Sequence, residues 1–235
     1  MVRRPFDLLL IDFYGTISAG DRAAVEKVCG RLVREFDLPM PPKELAVIWG
    51  DRFFDLIDRS NHDRFRTLYE CEQISLRETM ARYIGEMDPD PFVADLEAYW
   101  AAPPIHADVV EALERIDLPI CCVSNADTAP LRSAMERNGL RFDAVVTSEE
   151  VRCYKPEPKI FREALTKMGL APDRALHVGD SLHSDIAGAS RAGIATAWLR
   201  RDERIHDIGD GRPDRTLNSL NELPAILSDG RLHKE

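Results

Sequence analysis

Leu8-Leu9-Leu10-Ile11-Asp12-Phe13-Tyr14-Gly15-Thr16 is the stretch whose reading decides the fold. Four apolar residues run straight into an acid, and a Gly-Thr turn follows. A short continuous apolar run is the pattern of a strand buried on both faces, and Gly15 suits the turn at which such a strand ends. In open α/β sheets, ligands bind beyond the carboxyl ends of the strands, so Asp12 is expected at the floor of a site. An acid in this position is either a turn or helix-cap residue or a carboxylate nucleophile or metal ligand. Burying a charge without a partner is costly, so the second reading requires partners elsewhere in the chain.

Working outward, the period changes from strand to helix. Val25, Val28, Cys29, Leu32, Val33 and Phe36 recur at three- and four-residue steps, which predicts a helix over 21–36. Pro39, Pro41 and Pro42 break it. Further helical text covers 43–58, 63–68, 75–84 and 91–100, with no strand-like alternation, and Pro103-Pro104 closes the segment. Beyond it the text alternates. Strands are expected over 119–123, 144–147, 175–178 and 195–199, with a possible edge strand at 216–217. Helices are expected over 108–115, 128–138, 159–168, 185–192 and 220–227. Strands alternating with helices imply a parallel sheet covered on both faces. The expected fold class is thus α/β, a Rossmann-like parallel sheet with an inserted all-helical domain. The core is 1–17 with 105–235, and the insert is 18–104. Arg200–Asp214, rich in Gly and Asp, reads as a polar, mobile loop.

The 235 residues suit one large domain or one domain with an insert, and 44% hydrophobic residues allow a sizeable core. A net charge of −10 argues against a nucleic-acid or anionic-membrane partner, while leaving room for a small anionic substrate held by a local field. No window has the length of a transmembrane helix, and the start lacks the layout of a signal peptide. The cysteines are Cys29, Cys71, Cys121, Cys122 and Cys153. Their odd count and the absence of CxxC spacing predict reduced thiols and a cytoplasmic protein. A monomer or a homodimer is equally compatible with the text.

Each expected strand ends in chemically useful residues. The first gives Asp12 and Thr16, the second Ser124 and Asn125, and the fourth Asp180, Ser181, Ser184 and Asp185; Lys155 begins a later helix. Parallel strands put these ends on one edge of the sheet. The chemistry that fits is transfer of an anionic group to a carboxylate. Asp12 attacks, Lys155 orients it and neutralises charge, and Thr16 and Ser124 donate to the anionic oxygens. Asp12, Asp180 and Asp185 would repel one another without a cation between them, and magnesium suits hard oxygen donors.

Four motifs carry a resemblance in their order: Asp12-Phe13-Tyr14-Gly15-Thr16, Val123-Ser124-Asn125, Lys155-Pro156-Glu157-Pro158, and Gly179-Asp180-Ser181-Leu182-His183-Ser184-Asp185. The chain resembles the haloacid dehalogenase-like hydrolases, in the subgroup with a helical cap inserted after the first strand. The resemblance implies an Asp12 nucleophile, a covalent intermediate hydrolysed by water, and a cap that closes over substrate and selects it. It also implies a metal held by Asp12, the backbone carbonyl of Tyr14 and Asp180, with Asp185 in or near its shell.

One departure divides the family reading. Phosphatases of this family usually carry a second Asp two residues after the nucleophile, as general acid and then base; here that position is Tyr14. The Asp-x-Tyr-Gly-Thr form resembles the 2-haloacid dehalogenases, whose halide leaves without a proton. That branch, however, has Ser and Asn in the fourth motif, where this chain keeps Asp180 and Asp185. Three functions follow in order: a magnesium-dependent phosphatase of a small phosphorylated metabolite, acting through an aspartyl-phosphate intermediate with Tyr14 in place of the usual acid; an (S)-2-haloacid dehalogenase-like hydrolase using Asp12 as nucleophile; and a weakly or non-catalytic binder of a phosphorylated ligand. Plainer readings stand beside these. Lys155 alone would be a surface lysine, Asp185 a helix cap, His177 a core or supporting histidine, and Thr128 or Asp127 the cap of the helix after Asn125. In the inserted domain Arg52 is a candidate for reaching substrate, and the helix near Trp49 is expected to face the site.

Overall fold

The computed structural model describes residues 4–201, 209 and 211–229. Its sheet has six parallel strands in the order β3-β2-β1-β4-β5-β6. These are β1 (Leu8–Ile11), β2 (Ile120–Ser124), β3 (Ala144–Thr147), β4 (Ala175–Gly179), β5 (Ala195–Leu199) and β6 (Arg215–Leu217). β1 lies between β2 and β4, with Leu10 opposite Cys121 on one side and His177 on the other. The strand order reverses beside β1, which is where such sheets open a crevice at their carboxyl edge.

The apolar run of β1 serves both faces, because successive side chains of a strand point to opposite sides. Leu9 and Ile11 join one core with Val109, Leu131 and Leu220; Leu8 and Leu10 join the other with Ile160, Phe161 and Ala164. The helices covering these faces are, after the inserted segment, α5 (Val109–Glu114), α6 (Thr128–Arg137), α7 (Ser148–Val151), α8 (Pro158–Met168), α9 (Gly188–Arg191) and α10 (Leu223–Asp229). The inserted segment folds as α1 (Asp21–Glu35), α2 (Pro42–Arg59), α3 (Leu68–Met80) and α4 (Asp90–Trp100) around its own core of Cys29, Leu32, Leu45, Trp49, Leu76 and Leu96. This is the α/β architecture expected, a parallel sheet with a helical cap.

The two chains joining cap and sheet run side by side. Ser18 pairs antiparallel with Ile105, the Ala19 N–H donates to the Pro104 carbonyl (2.9 Å) and the His106 N–H to that of Ile17 (3.0 Å). We propose the cap boundary, residues 18–104, at this crossing.

Three elements differ from the periodic reading. The cap's third helix is one element, Leu68–Met80, where two pieces at 63–68 and 75–84 were expected. It begins at Thr67, whose side chain and that of Glu70 cap each other's backbone N–H groups, a reciprocal start signal. The helix expected over 185–192 begins instead as a π-helical turn, Leu182–Ala187. The edge strand expected at 216–217 extends over Arg215–Leu217. Residues 202–208 and 210 of the polar stretch expected to be mobile lie outside the described residues. All five cysteines are free and buried. No helix among the described residues is long and apolar enough to cross a membrane.

Candidate active site

Asp12 follows β1 directly, with its N–H held by the Val178 carbonyl at 3.0 Å. The carboxyl edge of the sheet gathers Asp12, Ser124, Lys155, Asp180 and Asp185, all buried. Two glycines permit the crowding. Gly15 has φ +85°, and a Cβ there would lie 2.7 Å from Asp180 Oδ2; a Cβ on Gly179 would lie 2.2 Å from Asp185 Cγ. Any side chain at either position would push an acid out of the cluster.

Lys155 Nζ sits at the centre. It donates to Asp12 Oδ1 (2.6 Å), Asp185 Oδ1 (2.7 Å) and the Val123 carbonyl (3.0 Å), using its three protons. Burial works against its charge, but Asp12 and Asp185 outweigh burial and hold the ammonium above its usual range. Burial raises the Asp12 carboxyl; Lys155 opposes this, while Asp185 and Asp180 add to it, leaving Asp12 at about 7. Asp185 stays well below the usual carboxylate range: burial opposes its ionisation, but Lys155 and the hydrogen bond from His177 win. His177 Nε2 lies 3.0 Å from Asp185 Oδ1, and burial keeps that imidazole neutral, so its Nε2–H is the donor.

Asp12, Asp180 and Asp185 offer oxygens that all lie within 4.8 Å of one another. Asp12 Oδ2 pairs with no protein group, and Lys155 pairs with Asp12 and Asp185 of the three. This set of hard oxygens fits a small divalent cation. Thr16 Oγ1 donates to Asp180 Oδ1 at 3.3 Å, and the Trp198 indole N–H to the Asp180 carbonyl at 2.9 Å. The Ser124 hydroxyl is buried with no protein partner.

Other expected site residues turn out differently. The Asn125 amide is committed to the Lys155 backbone, accepting from its N–H (2.7 Å) and donating to its carbonyl (3.2 Å). It therefore orients the lysine, where a substrate contact was expected. The Tyr14 hydroxyl donates to the Trp100 carbonyl at the end of α4 (2.8 Å), and its ring packs edge-on against Trp100. Burial, with Asp21 next, pushes this phenol far above its usual range, so it is a poor proton donor. Arg52 pairs with Glu78 inside the cap (3.0 Å). Trp49 lies in the cap's own core, its indole N–H on Ser75 at 2.9 Å, while Ile57 of the same helix packs with Tyr154, the neighbour of Lys155. Asp127 makes no side-chain hydrogen bond to α6, the helix it was expected to cap. Its two oxygens accept from the backbone N–H groups of Leu68 and Tyr69 (2.8 and 3.0 Å), so a core residue caps helix α3 of the cap domain. Neither this contact nor Trp198 carries a local sequence signal, because each joins segments far apart in the chain. His177, by contrast, was recognisable as a polar residue inside an apolar strand.

Comparison with known proteins bears on the family. A family model described as a haloacid dehalogenase-like hydrolase matches residues 6–193. The chain is 44% identical over 109 residues to the pyrimidine 5'-nucleotidase YjjG of Escherichia coli, covering 45% of this chain and 48% of that one. It is 32% identical over 136 residues to a phosphoserine phosphatase of Thermus thermophilus, covering 57% and 54%. In these matches the chain spans about half the length of the relative. A full-length match, 24% identical over 96% of this chain, is the (S)-2-haloacid dehalogenase H-109 of Pseudomonas putida. Among solved structures, the L-2-haloacid dehalogenase of Xanthobacter autotrophicus with chloropropionic acid covalently bound superposes with TM-score 0.76 at 19% identity, covering 94% of this chain and 98% of that one. Such a likeness speaks to the fold. The match over most of the chain, with the parallel sheet and its cap, places this protein in the haloacid dehalogenase-like hydrolase family.

Proposed function

We propose that the protein is a magnesium-dependent phosphohydrolase of a small phosphorylated metabolite, with Asp12 as nucleophile. The observation that carries this reading is the buried triad Asp12, Asp180 and Asp185, whose oxygens lie within 4.8 Å of one another. Asp12, Asp180 and the Tyr14 carbonyl would hold the ion, with Asp185 beside them. When bound, magnesium supplies the positive charge that lets a carboxylate approach an anionic phosphoryl group.

The protein's own groups do the rest. Lys155 holds Asp12 Oδ1 and leaves Oδ2 free to attack phosphorus. As the new P–O bond forms, the ester P–O bond breaks and the leaving oxygen departs with its electron pair. Ser124 donates to a phosphoryl oxygen, and Thr16 does so when its one hydroxyl proton turns from Asp180 Oδ1. Water then attacks phosphorus, breaking its bond to Asp12, and orthophosphate leaves with the regenerated carboxylate behind. The Tyr14 hydroxyl is committed to Trp100, so no carboxylic acid at this position protonates the leaving group. Such a proton donor contributes a factor of about 10²–10⁴. The enzyme should therefore favour esters whose leaving group departs readily as an anion. Two phosphatase relatives support the reading, a nucleotidase and a phosphoserine phosphatase.

Dehalogenation of a 2-haloacid is the second reading, supported by the full-length dehalogenase match and by Tyr14. Buried Asp180 and Asp185 oppose a substrate carboxylate at this site, which is why it ranks second. Replacing Asp12 by Asn tests either nucleophilic route. The expected outcome is a loss of turnover of at least about 10³-fold, since removal of a nucleophile removes the covalent route, with the melting temperature held within a few degrees. Near-normal turnover in this variant would refute the mechanism.

A further inference from the structure

Asp12 and Lys155 are almost sealed from solvent, at 4% and 2% exposure, and Tyr14, two residues beyond Asp12, packs on Trp100 at the end of cap helix α4, so a movement of the cap bears on access to the site. Its pivot is the pair of chains crossing at Ser18 and Ile105. The outgoing chain is attached to the site itself, because Thr16, which touches Asp180, lies two residues before Ser18. The Ile17 and Ser18 N–H groups are held by the Phe13 carbonyl (2.8 and 2.9 Å); against a pull from the cap, the Thr16 carbonyl needs a hold of its own.

Arg201, just beyond the end of β5, is placed to do this. Its Nη2 donates to the Thr16 carbonyl at 2.9 Å and to Asp108 Oδ1 at 3.0 Å, and its Nη1 to Asp108 Oδ2 at 3.2 Å. Asp108 lies on the returning chain, three residues after Ile105, and is itself fixed by the Ser219 hydroxyl (2.8 Å) and the Leu220 N–H (2.9 Å). The pair is largely buried, with side chains 10% and 15% exposed. One planar guanidinium therefore ties the outgoing chain, the returning chain and the sheet together on the site side of the pivot. A lysine has the charge but lacks the rigid fork that spans a carboxylate and a carbonyl at once.

We infer that Arg201 is a positioning residue that clamps Thr16 against Asp108, so that the cap can move without moving the Asp12–Thr16 turn. The inference rests on the reading of Asp12 and Thr16 as the phosphoryl-transfer site. Arg201 touches neither substrate nor reacting atoms. With the clamp absent, Thr16 and the acid it touches drift each time the cap opens, so the chemical step suffers while the cap's own binding contacts remain.

The test compares wild type with Arg201→Ala, Arg201→Lys and Asp108→Asn, using an aryl phosphate with magnesium and, separately, calorimetric titration of magnesium alone. In Arg201→Ala, kcat should fall by about tenfold or more, the scale of one hydrogen bond involving a charged group, with KM held within about threefold. Millimolar guanidinium should restore part of the lost kcat, methylammonium should not, and Arg201→Lys should recover little. Magnesium affinity should fall several-fold through the Thr16–Asp180 contact. Unchanged kcat and magnesium affinity in Arg201→Ala would overturn the inference, as would rescue by methylammonium or by lysine equal to that by guanidinium. If Arg201→Ala does not fold, the other two variants decide: a lower kcat at constant KM supports the clamp, and wild-type kcat and magnesium affinity in both refute it. If wild type itself releases no phosphate, the phosphohydrolase reading has failed, and the magnesium titrations alone still decide whether Arg201 holds the site.

Discussion

Ser124 separates what a residue does for the fold from what it does for the reaction. Its hydroxyl is buried at the end of β2 and pairs with no protein group. Removing it should therefore leave stability almost unchanged, whereas a hydrogen bond to an anionic substrate contributes about 1.5–3 kcal/mol. Ser124→Ala is expected to melt within a few degrees of wild type while losing roughly 10–100-fold in kcat/KM for phosphate esters. Parallel unfolding and kinetic measurements check this. A variant equally active, or one that loses stability in step with activity, would remove Ser124 from the site. Lys155 is the opposite case. It holds Asp12 and Asp185 together at 2.6 and 2.7 Å, and buried charges left without their partner are strongly destabilising, so fold and chemistry cannot be separated there. Asn125 illustrates the limit of reading residues from sequence. Its place beside Ser124 suggests a ligand contact, but only the folded chain shows its amide paired with the Lys155 backbone.

At the level of elements, the seam between cap and core is where the chain is least legible in one dimension. Strands and most helices follow from hydrophobic period, because β1 must serve two cores and the cap helices one. The apolar pattern of helix α3 is interrupted by Glu72, a polar residue that is nonetheless buried, in the part of the helix that periodicity does not show. Thr67 and Glu70 carried the start signal that periodicity hid. Glu72 has a testable consequence of its own. It accepts from the Trp100 indole N–H at 2.8 Å, its other oxygen has no partner, and burial followed by Glu97 and Asp127 pushes its carboxyl well above 4.5. The neutral acid is thus the form that fits the folded cap. Below pH 4.5 Glu72 is protonated in both states and its contribution is fully present. Above 4.5 the unfolded chain ionises and the folded one resists, so stability is lost as pH rises toward the folded value, by up to about 1.4 kcal/mol per pH unit. Glu72→Gln should abolish this slope. Denaturant unfolding at pH 5 and pH 7 should show the variant gaining on wild type by more than about 1 kcal/mol; an unchanged difference would mean that Glu72 is ionised in the fold.

For the whole molecule, the architecture and the acid cluster were legible together, and for one reason. The residues with chemistry sit at the ends of apolar runs, and parallel strands bring those ends to one edge. Asp12, Ser124 and Asp180, separated by more than 160 residues from first to last, needed only the strand assignment to be put in one place. Arg201, Asp127 and Trp198 were not legible, because each acts by reaching a backbone group of a distant segment, and a backbone group has no signature in the sequence. What the sequence and fold leave divided is the reaction, since Tyr14 points one way and Asp180 with Asp185 the other. Phosphate release from an aryl phosphate with a good leaving group, measured with magnesium and then with EDTA, decides it most directly. Release with magnesium and its loss with EDTA are expected, because Asp12, Asp180 and Asp185 offer oxygens within 4.8 Å of one another and Lys155 pairs with two of the three. No phosphate release with magnesium, together with halide release from a 2-haloacid that EDTA leaves untouched, would contradict it.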